Sequence, residues 1–380
     1  MTDYAKRAPG VYVEQVPSGS APIAGVGTST AGFIGIVPEL VAAPGKVELV
    51  TNFTEFKKAF GDFSATDAGQ SILAHAVYGF FNNGGTRCYV TTVAPAAEGS
   101  TTTVSIAPAL ALFEPIDEIA IVAAPGLSDA ACYADLKAHC ERVQTCFAIL
   151  DTPADVPNFG TALGENGAHL PPLSDYTAVY FPWIEVYDPA SKATKVVPPS
   201  GHLAGIYARV DASRGVHKAP ANEVVQGALD VRYAVSRAQQ DGLNPQGVNC
   251  IRRLNGNIKV WGARTVGGEH NLDFRYVNVR RLFNYLRGSI EQGTQWAVFE
   301  PNNHELWAKI TRNVSAFLNT VWTSGALFGD TAAEAYYVKC DAETNPPEVR
   351  DLGMVVTEIG VAITRPAEFV VFRLGQKSAS

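Results

Sequence analysis

Hydrophobic and polar positions alternate in short runs at both ends of the chain and recur at helical spacing between them. Near the carboxy terminus Val355, Ile359, Val361 and Ile363 share one face of a period-2 pattern that Thr357 interrupts. Beyond Pro366 a second run, Glu368 to Leu374, is apolar on both faces, with Phe369 and Val371 on one side and Val370, Phe372 and Leu374 on the other. Such a strand needs neighbours in a sheet and cover on both faces; as a bare edge it would invite aggregation. The amino terminus carries a similar signal, Val11, Tyr12, Val13 and Glu14 between Pro9 and Pro17. Both ends therefore read as strand-forming arms, and the residue pattern allows them to pair with each other in one closed domain.

The interior predicts alternating elements. A buried strand is expected over 30–37, a helix capped by Asn52, a longer helix opened by Asp67 and stopped at Asn82-Asn83-Gly84-Gly85, and a strand over 87–93. Residues 94–108, rich in Ala, Thr, Ser and Pro, read as a linker. Then come a strand at 119–123, a helix from Ser128 or Asp129 to Arg142 and a strand at 146–150, a βαβ unit with a parallel pair. Strands are expected around Pro182 and at 195–197, helices over 202–212 and 226–238, and a hairpin turning at Asn255-Gly256. Val279, Leu282, Phe283, Leu286 and Ile290 predict a helix over 277–292, and Leu306, Ile310, Val314, Phe317, Leu318 and Val321 predict another.

At 380 residues and 47% hydrophobic content the chain exceeds one ordinary core, so two or three domains are expected. Thirty basic against 37 acidic residues give a net charge of -7, which suits a nucleic-acid backbone poorly. No run reaches the roughly 18 apolar residues of a membrane span, and no apolar leader follows Lys6 and Arg7, so cytoplasmic synthesis is expected. The six cysteines form no C-x-x-C pair and read as reduced core thiols.

Candidate chemistry is sparse. Gly25-Val26-Gly27 with Gly32 lacks the spacing of a dinucleotide fingerprint, and Ala43-Pro44-Gly45-Lys46-Val47 lacks the parts of a phosphate loop. Ser200-Gly201-His202 with Asp211 suggests an α/β hydrolase but has no nucleophile elbow, and Ser200 reads better as a helix cap. The seven histidines form no H-x-x-x-H pair. No catalytic constellation, cofactor or metal is expected.

Several stretches together resemble the tail sheath family of contractile phage tails, tailocins and extracellular contractile injection systems. They are Ala8 to Gln15, Phe80 to Val90, Pro198 to Arg209 with Arg214 to Asn222, Val260 to Thr265, Val277 to Leu282, and Arg365 to Phe369. The resemblance implies a mixed α+β and α/β fold: an inner α+β domain from 20–95 plus 255–363, an inserted outer α/β domain at 96–254, and arms at 1–19 and 364–380. It implies a structural subunit without enzymatic activity that polymerises in stacked, hexameric rings around an inner tube and contracts, with baseplate and cap proteins as further partners. It assigns no nucleic acid and no membrane insertion to the subunit, and it places the product in a phage tail or a released or envelope-associated tail-like particle. A minor sheath paralogue acting as cap or baseplate adaptor is the alternative within the family. The arm strands Val11, Tyr12, Val13, Glu14 and Phe369, Val370, Val371, Phe372, Arg373 would then be donated to neighbouring subunits. Between Phe274 and Asn313 six basic residues face three acidic ones. Lys309 and Arg312 are the expected tube contacts, with Arg280, Arg281 and Arg287 as the alternative.

Overall fold

The computed structural model describes residues 22–37, 45–95 and 104–371. The first strand, β1 (Thr30–Ile36), is followed by β2 (Glu48–Val50), α1 (Phe53–Phe60), α2 (Ala68–Asn82) and β3 (Cys88–Val93). Asn52 and Asp67 cap α1 and α2 as expected, each side chain accepting a backbone N–H of the first turn. Next come α3 (Ala107–Ala111), β4 (Ile119–Ala123), α4 (Ala130–Val143), β5 (Phe147–Asp151), α5 (Phe159–Ala162) and β6 (Thr177–Phe181). They are followed by β7 (Ile184–Asp188), β8 (Ala193–Val197), α6 (Ser200–Arg214), β9 (Glu223–Val224), β10 (Ala228–Val231), α7 (Arg237–Leu243), β11 (Val248–Leu254) and β12 (Asn257–Val260). The last part holds α8 (Val277–Thr294), α9 (His304–Thr323), α10 (Ala332–Ala335), β13 (Tyr336–Lys339), α11 (Pro347–Asp351) and β14 (Glu358–Val361).

Among the described residues nine strands make one sheet in the order β2-β3-β1-β4-β5-β6-β11-β12-β9, parallel from β3 through β11. Period-2 alternation sends Phe33, Ile121, Phe147, Tyr180 and Ile251 into one core under α2 and α6. Ile34, Val122, Ala148, Val179 and Cys250 enter a second core under α3, α4 and α7. Strands covered on both faces read as near-continuous apolar runs, which is why they were visible in the sequence. Helices α2 and α6 touch backbone to backbone: a Cβ on Gly201 would lie 2.4 Å from the Cα of Ala76. The hairpin β11–β12 turns at Asn255 and Gly256, both at positive φ.

A third core gathers Ile23, Leu282, Leu286 and the buried stripe of α9 from Leu306 to Val321. No helix among the described residues is long and apolar enough to cross a membrane.

Several expectations are corrected. The helix expected over 226–238 is instead the strand β10, held against β7, and the short helix α7, whose start is set by a capping box at Ser236. The expected break at residue 95 is not a break in the sheet, because β1 lies between β3 and β4; residues 30–37 and 45–95 share both cores with 119–254. The expected break at 254 falls inside the β11–β12 hairpin. Ser200 is not the cap of α6 but its first residue, since Pro199 occupies the cap position. Residues 368–371 form no strand: within this chain the two-sided apolar run meets no sheet neighbour among the described residues. Val11, Tyr12, Val13 and Glu14, and likewise Phe372 and Arg373, lie outside the described residues.

Candidate functional site

The carboxy-terminal part is built on α9. Asn303 caps this helix by accepting the N–H of Leu306, and its apolar stripe supports a two-stranded antiparallel sheet, β13 with β14. Tyr336 and Val338 of β13 and Ile359, Val361 and Ile363 of the other strand face that stripe. The bonds of this second strand toward β13 and toward Ala326–Phe328 are made by alternate residues, among them Ala362 and Thr364. The N–H and C=O groups of Ile359, Val361 and Ile363 point the other way and have no ladder partner among the described residues. On the outer face Tyr337 is exposed and lies across Gly360, where a Cβ would come within 2.1 Å of its ring.

The chain then runs from Ile363 to a polar clamp. Glu368 accepts from Arg264 Nε and Nη2, each at 2.9 Å, from Tyr276 Oη at 2.8 Å and from Asn244 Nδ2 at 2.8 Å. Burial alone would raise this carboxyl, but the bonds from Arg264, Asn244 and Tyr276 outweigh it and hold it below the ordinary glutamate range. Arg264 is itself buried and also binds Glu269 at 2.6 Å. Immediately beyond the clamp, Phe369, Val370 and Val371 are 69, 70 and 76% exposed. Large apolar side chains seldom stand out in an unbroken row unless a partner takes them. The stretches 260–265 and 365–369, singled out separately in the sequence, thus meet at one ion pair.

The basic residues divide into two sets. Arg280 and Arg281 are buried: Arg280 pairs with Asp175 and lies over Tyr176 and Phe274, and Arg281 forks onto Asp211 at 2.9 and 2.6 Å. They fasten α8 to the sheet body, which takes them out of the expected surface role. Arg287 reaches the side chain of Gln144. Lys309 is half-buried and pairs with Glu305 one turn earlier, whereas Arg312 is exposed on the same side of α9.

The hydrolase constellation does not assemble. Ser200 donates its hydroxyl to Asp151 Oδ2 at 2.6 Å and its N–H to Oδ1 at 2.9 Å, so Asp151 anchors the start of α6. Burial pushes this carboxyl up to about 6, against the bonds from Ser200 and Gly126. His202 packs on α2 at Gly79, its imidazole pushed down to about 3 by burial and by His75. Asp211 is taken by Arg281 and Thr28. Among the described residues no group of three metal-ligating side chains converges.

Sequence reasoning missed β13, although Tyr336-Tyr337-Val338 follows a Thr331–Glu334 capping box and supplies the strand that β14 needs. It also missed Glu368, Asp175 and Asp211 as partners, because each lies 70 or more residues from its arginine.

Comparison with known proteins agrees with this architecture. Residues 99–266 match the phage tail sheath protein central domain, and residues 269–377 match the phage tail sheath C-terminal domain. The tail sheath protein of Burkholderia phage BcepMu is 26% identical over 228 residues, 58% of this chain and 44% of that protein. The putative prophage major tail sheath protein of Pseudomonas aeruginosa is 25% identical over 233 residues, with 57% of that protein covered. The chain thus spans about half the length of these curated relatives. Among solved structures, the contracted helical sheath of the anti-feeding prophage superposes with a TM-score of 0.78 at 30% identity, covering 98% of this chain and 99% of that one. The contracted sheath complex of the extracellular contractile injection system PVC gives 0.82 at 28% identity, covering 98% of both. With both domain models matched in order and the whole described fold shared, the chain belongs to the phage tail sheath family.

Proposed function

We propose that the chain is the structural subunit of a contractile sheath, assembling in the cytoplasm as a helical homopolymer of stacked, hexameric rings around an inner tube. The polymer shortens to drive the tube through a target envelope. Baseplate and cap proteins close its ends; solved relatives include chains of the anti-feeding prophage baseplate. The observation that carries the reading is the pairing of an open-edged two-stranded sheet with an apolar tail that leaves the body at Glu368. An edge and a loose strand of the same kind are the two halves of strand addition between copies. A contact of that type is heterologous and propagates instead of closing. No nucleotide is required if the extended lattice is held behind a kinetic barrier and released collectively.

Negative-stain microscopy tests this with the chain ended after Glu368, which keeps the clamp. The full chain is expected to form hollow cylinders without added nucleotide, and the shortened chain to stay folded and unassembled. Normal cylinders from the shortened chain would sink the tail as a ladder strand. Val13→Pro addresses the other arm, since it removes one amide donor; unchanged assembly would exclude Val13 from an intermolecular ladder. For the tube, Lys309 and Arg312 are the proposed contacts. Single exposed pairs contribute about 0–1 kcal/mol, enough when repeated around a ring to register a tube that must later slide. Reversing both to Glu is expected to loosen tube retention in a salt-sensitive way while the lattice still forms. Copy number in isolated particles separates this role from that of a cap or adaptor.

A further inference from the structure

The turn between α4 and β5 brings two thiols together in the second core. Cys140 sits in the last turn of the helix, Gln144 reverses the chain in a left-handed conformation, and Cys146 directly precedes the strand. Their sulfurs are 3.4 Å apart, and both residues are buried. His139 is buried beside them, and its Nδ1 has no hydrogen-bond partner among the described residues. On the outer side a cavity of about 170 Å³ is lined by Val143 and Thr145 of this turn and by Asn284 and Tyr285 of α8. A small neutral oxidant therefore has space one residue away from Cys146.

From this geometry we propose that Cys140 and Cys146 are an oxidisable dithiol that closes to an intramolecular disulfide when the protein meets hydrogen peroxide. The sulfurs need to approach by about 1.4 Å to reach the usual bond length near 2.05 Å, a shift available to the side chains across a short turn. The chemistry balances in two steps. Cys146 as thiolate attacks one peroxide oxygen, giving a sulfenic acid and hydroxide, which takes up the proton that Cys146 released. The Cys140 thiol then attacks the sulfenic sulfur, and its proton leaves with the hydroxyl as a second water. The two thiols together lose two electrons and two protons, and the peroxide is reduced to two waters. The electrostatics favour Cys146 as the first nucleophile: the bond shared with Cys140 lowers its thiol, with burial opposing and the His139 imidazole assisting. That bond, together with burial, raises Cys140, and burial alone raises Cys88 and Cys250.

The test is to treat the purified full chain with hydrogen peroxide at neutral pH, denature it, alkylate with N-ethylmaleimide and digest with trypsin. Cleavage after Lys137 and Arg142 puts Cys140 and Cys146 in separate peptides, so only the disulfide can join them. The expected result is that joined peptide, a loss of about 2 Da in intact mass, two of the six thiols protected from alkylation, and reversal by dithiothreitol. Cys140→Ala is expected to abolish the joined peptide and Cys132→Ala to retain it. Six alkylated thiols after treatment, a different pairing, or sulfinic acid at Cys146 in place of the link would each overturn the proposal. Should Cys140→Ala fail to fold, Cys146→Ala serves the same purpose.

Discussion

The nine-stranded sheet and the two-stranded sheet of β13 and β14 satisfy their backbones in opposite ways. The nine-stranded sheet is covered on both faces, and its parallel strands fill two cores by alternation. The sheet of β13 and β14 has one face on α9, an exposed Tyr337 on the other, and an edge without a ladder partner among the described residues. A two-stranded sheet is marginal in water on its own; here α9 steadies it while its outer edge stays available. Charge follows the same division. Arg280, Arg281 and Asp151 are buried where α8 and α6 join the large sheet, while Lys309 and Arg312 lie at the surface of α9. One region holds the fold together, and the other leaves an open edge and two cations at the surface.

The sharpest challenge to that division is Arg281→Met, which strands Asp211 as a buried charge without its partner. The expected cost is about 3–5 kcal/mol, read as a large drop in urea midpoint; an unchanged midpoint would mean that α8 is not held by this pair. Acid comes next. His202 is pushed by burial to about 3 from an ordinary value of 6.5, so the unfolded chain takes up a proton that the folded one refuses. Stability is fully present above pH 6.5 and falls on acidification, by on the order of 2–3 kcal/mol near pH 4.5. Asp151, raised to about 6, acts with the opposite sign, gaining stability as pH falls from about 6 toward 3.8. Thermal melts across this range should show a shallower acid limb for His202→Gln and a steeper one for Asp151→Asn.

A smaller effect is expected at the clamp, where Glu368→Ala removes bonds to a charged acceptor worth about 1.5–3 kcal/mol. Because that carboxyl sits below the ordinary range, its contribution is present at neutral pH and lost as pH falls below 4.5. Hydrogen exchange at residues 365–371 would register the release. The smallest effect on folding belongs to Phe369→Asp with Val371→Asp, exposed positions where the cost should stay within about 0.5 kcal/mol while assembly is lost. A large loss of stability there would break the division outright.

Much of the large sheet was legible because local rules suffice for it. Asn52, Asp67 and Asp129 cap helices as their residue types predict, and Asn255-Gly256 turns the hairpin. Residues 226–238 misled because their helical spacing was overridden by pairing with β7, a tertiary contact with no local signature. Ser200 misled for a related reason: its hydroxyl serves Asp151, 49 residues earlier, and not its own helix. For the candidate site, the apolar tail was readable from its two-sided pattern. Its anchor was not, because Glu368 and Arg264 are 104 residues apart and nothing local marks them as partners. Arg280 and Arg281 looked like surface charges for the same reason.

The clamp at Glu368 also decides how a load on the tail would travel. Tension on the chain beyond Phe369 meets the donors from Arg264, Asn244 and Tyr276 first, and these resist together, as bonds do in shear. Without them the same tension would act directly on β14 and its few bonds to β13. Arg264 follows β12, so the load is transferred to the rim of the nine-stranded sheet. In the proposed lattice the small sheet would then take a neighbour's strand without being the member that bears the pull.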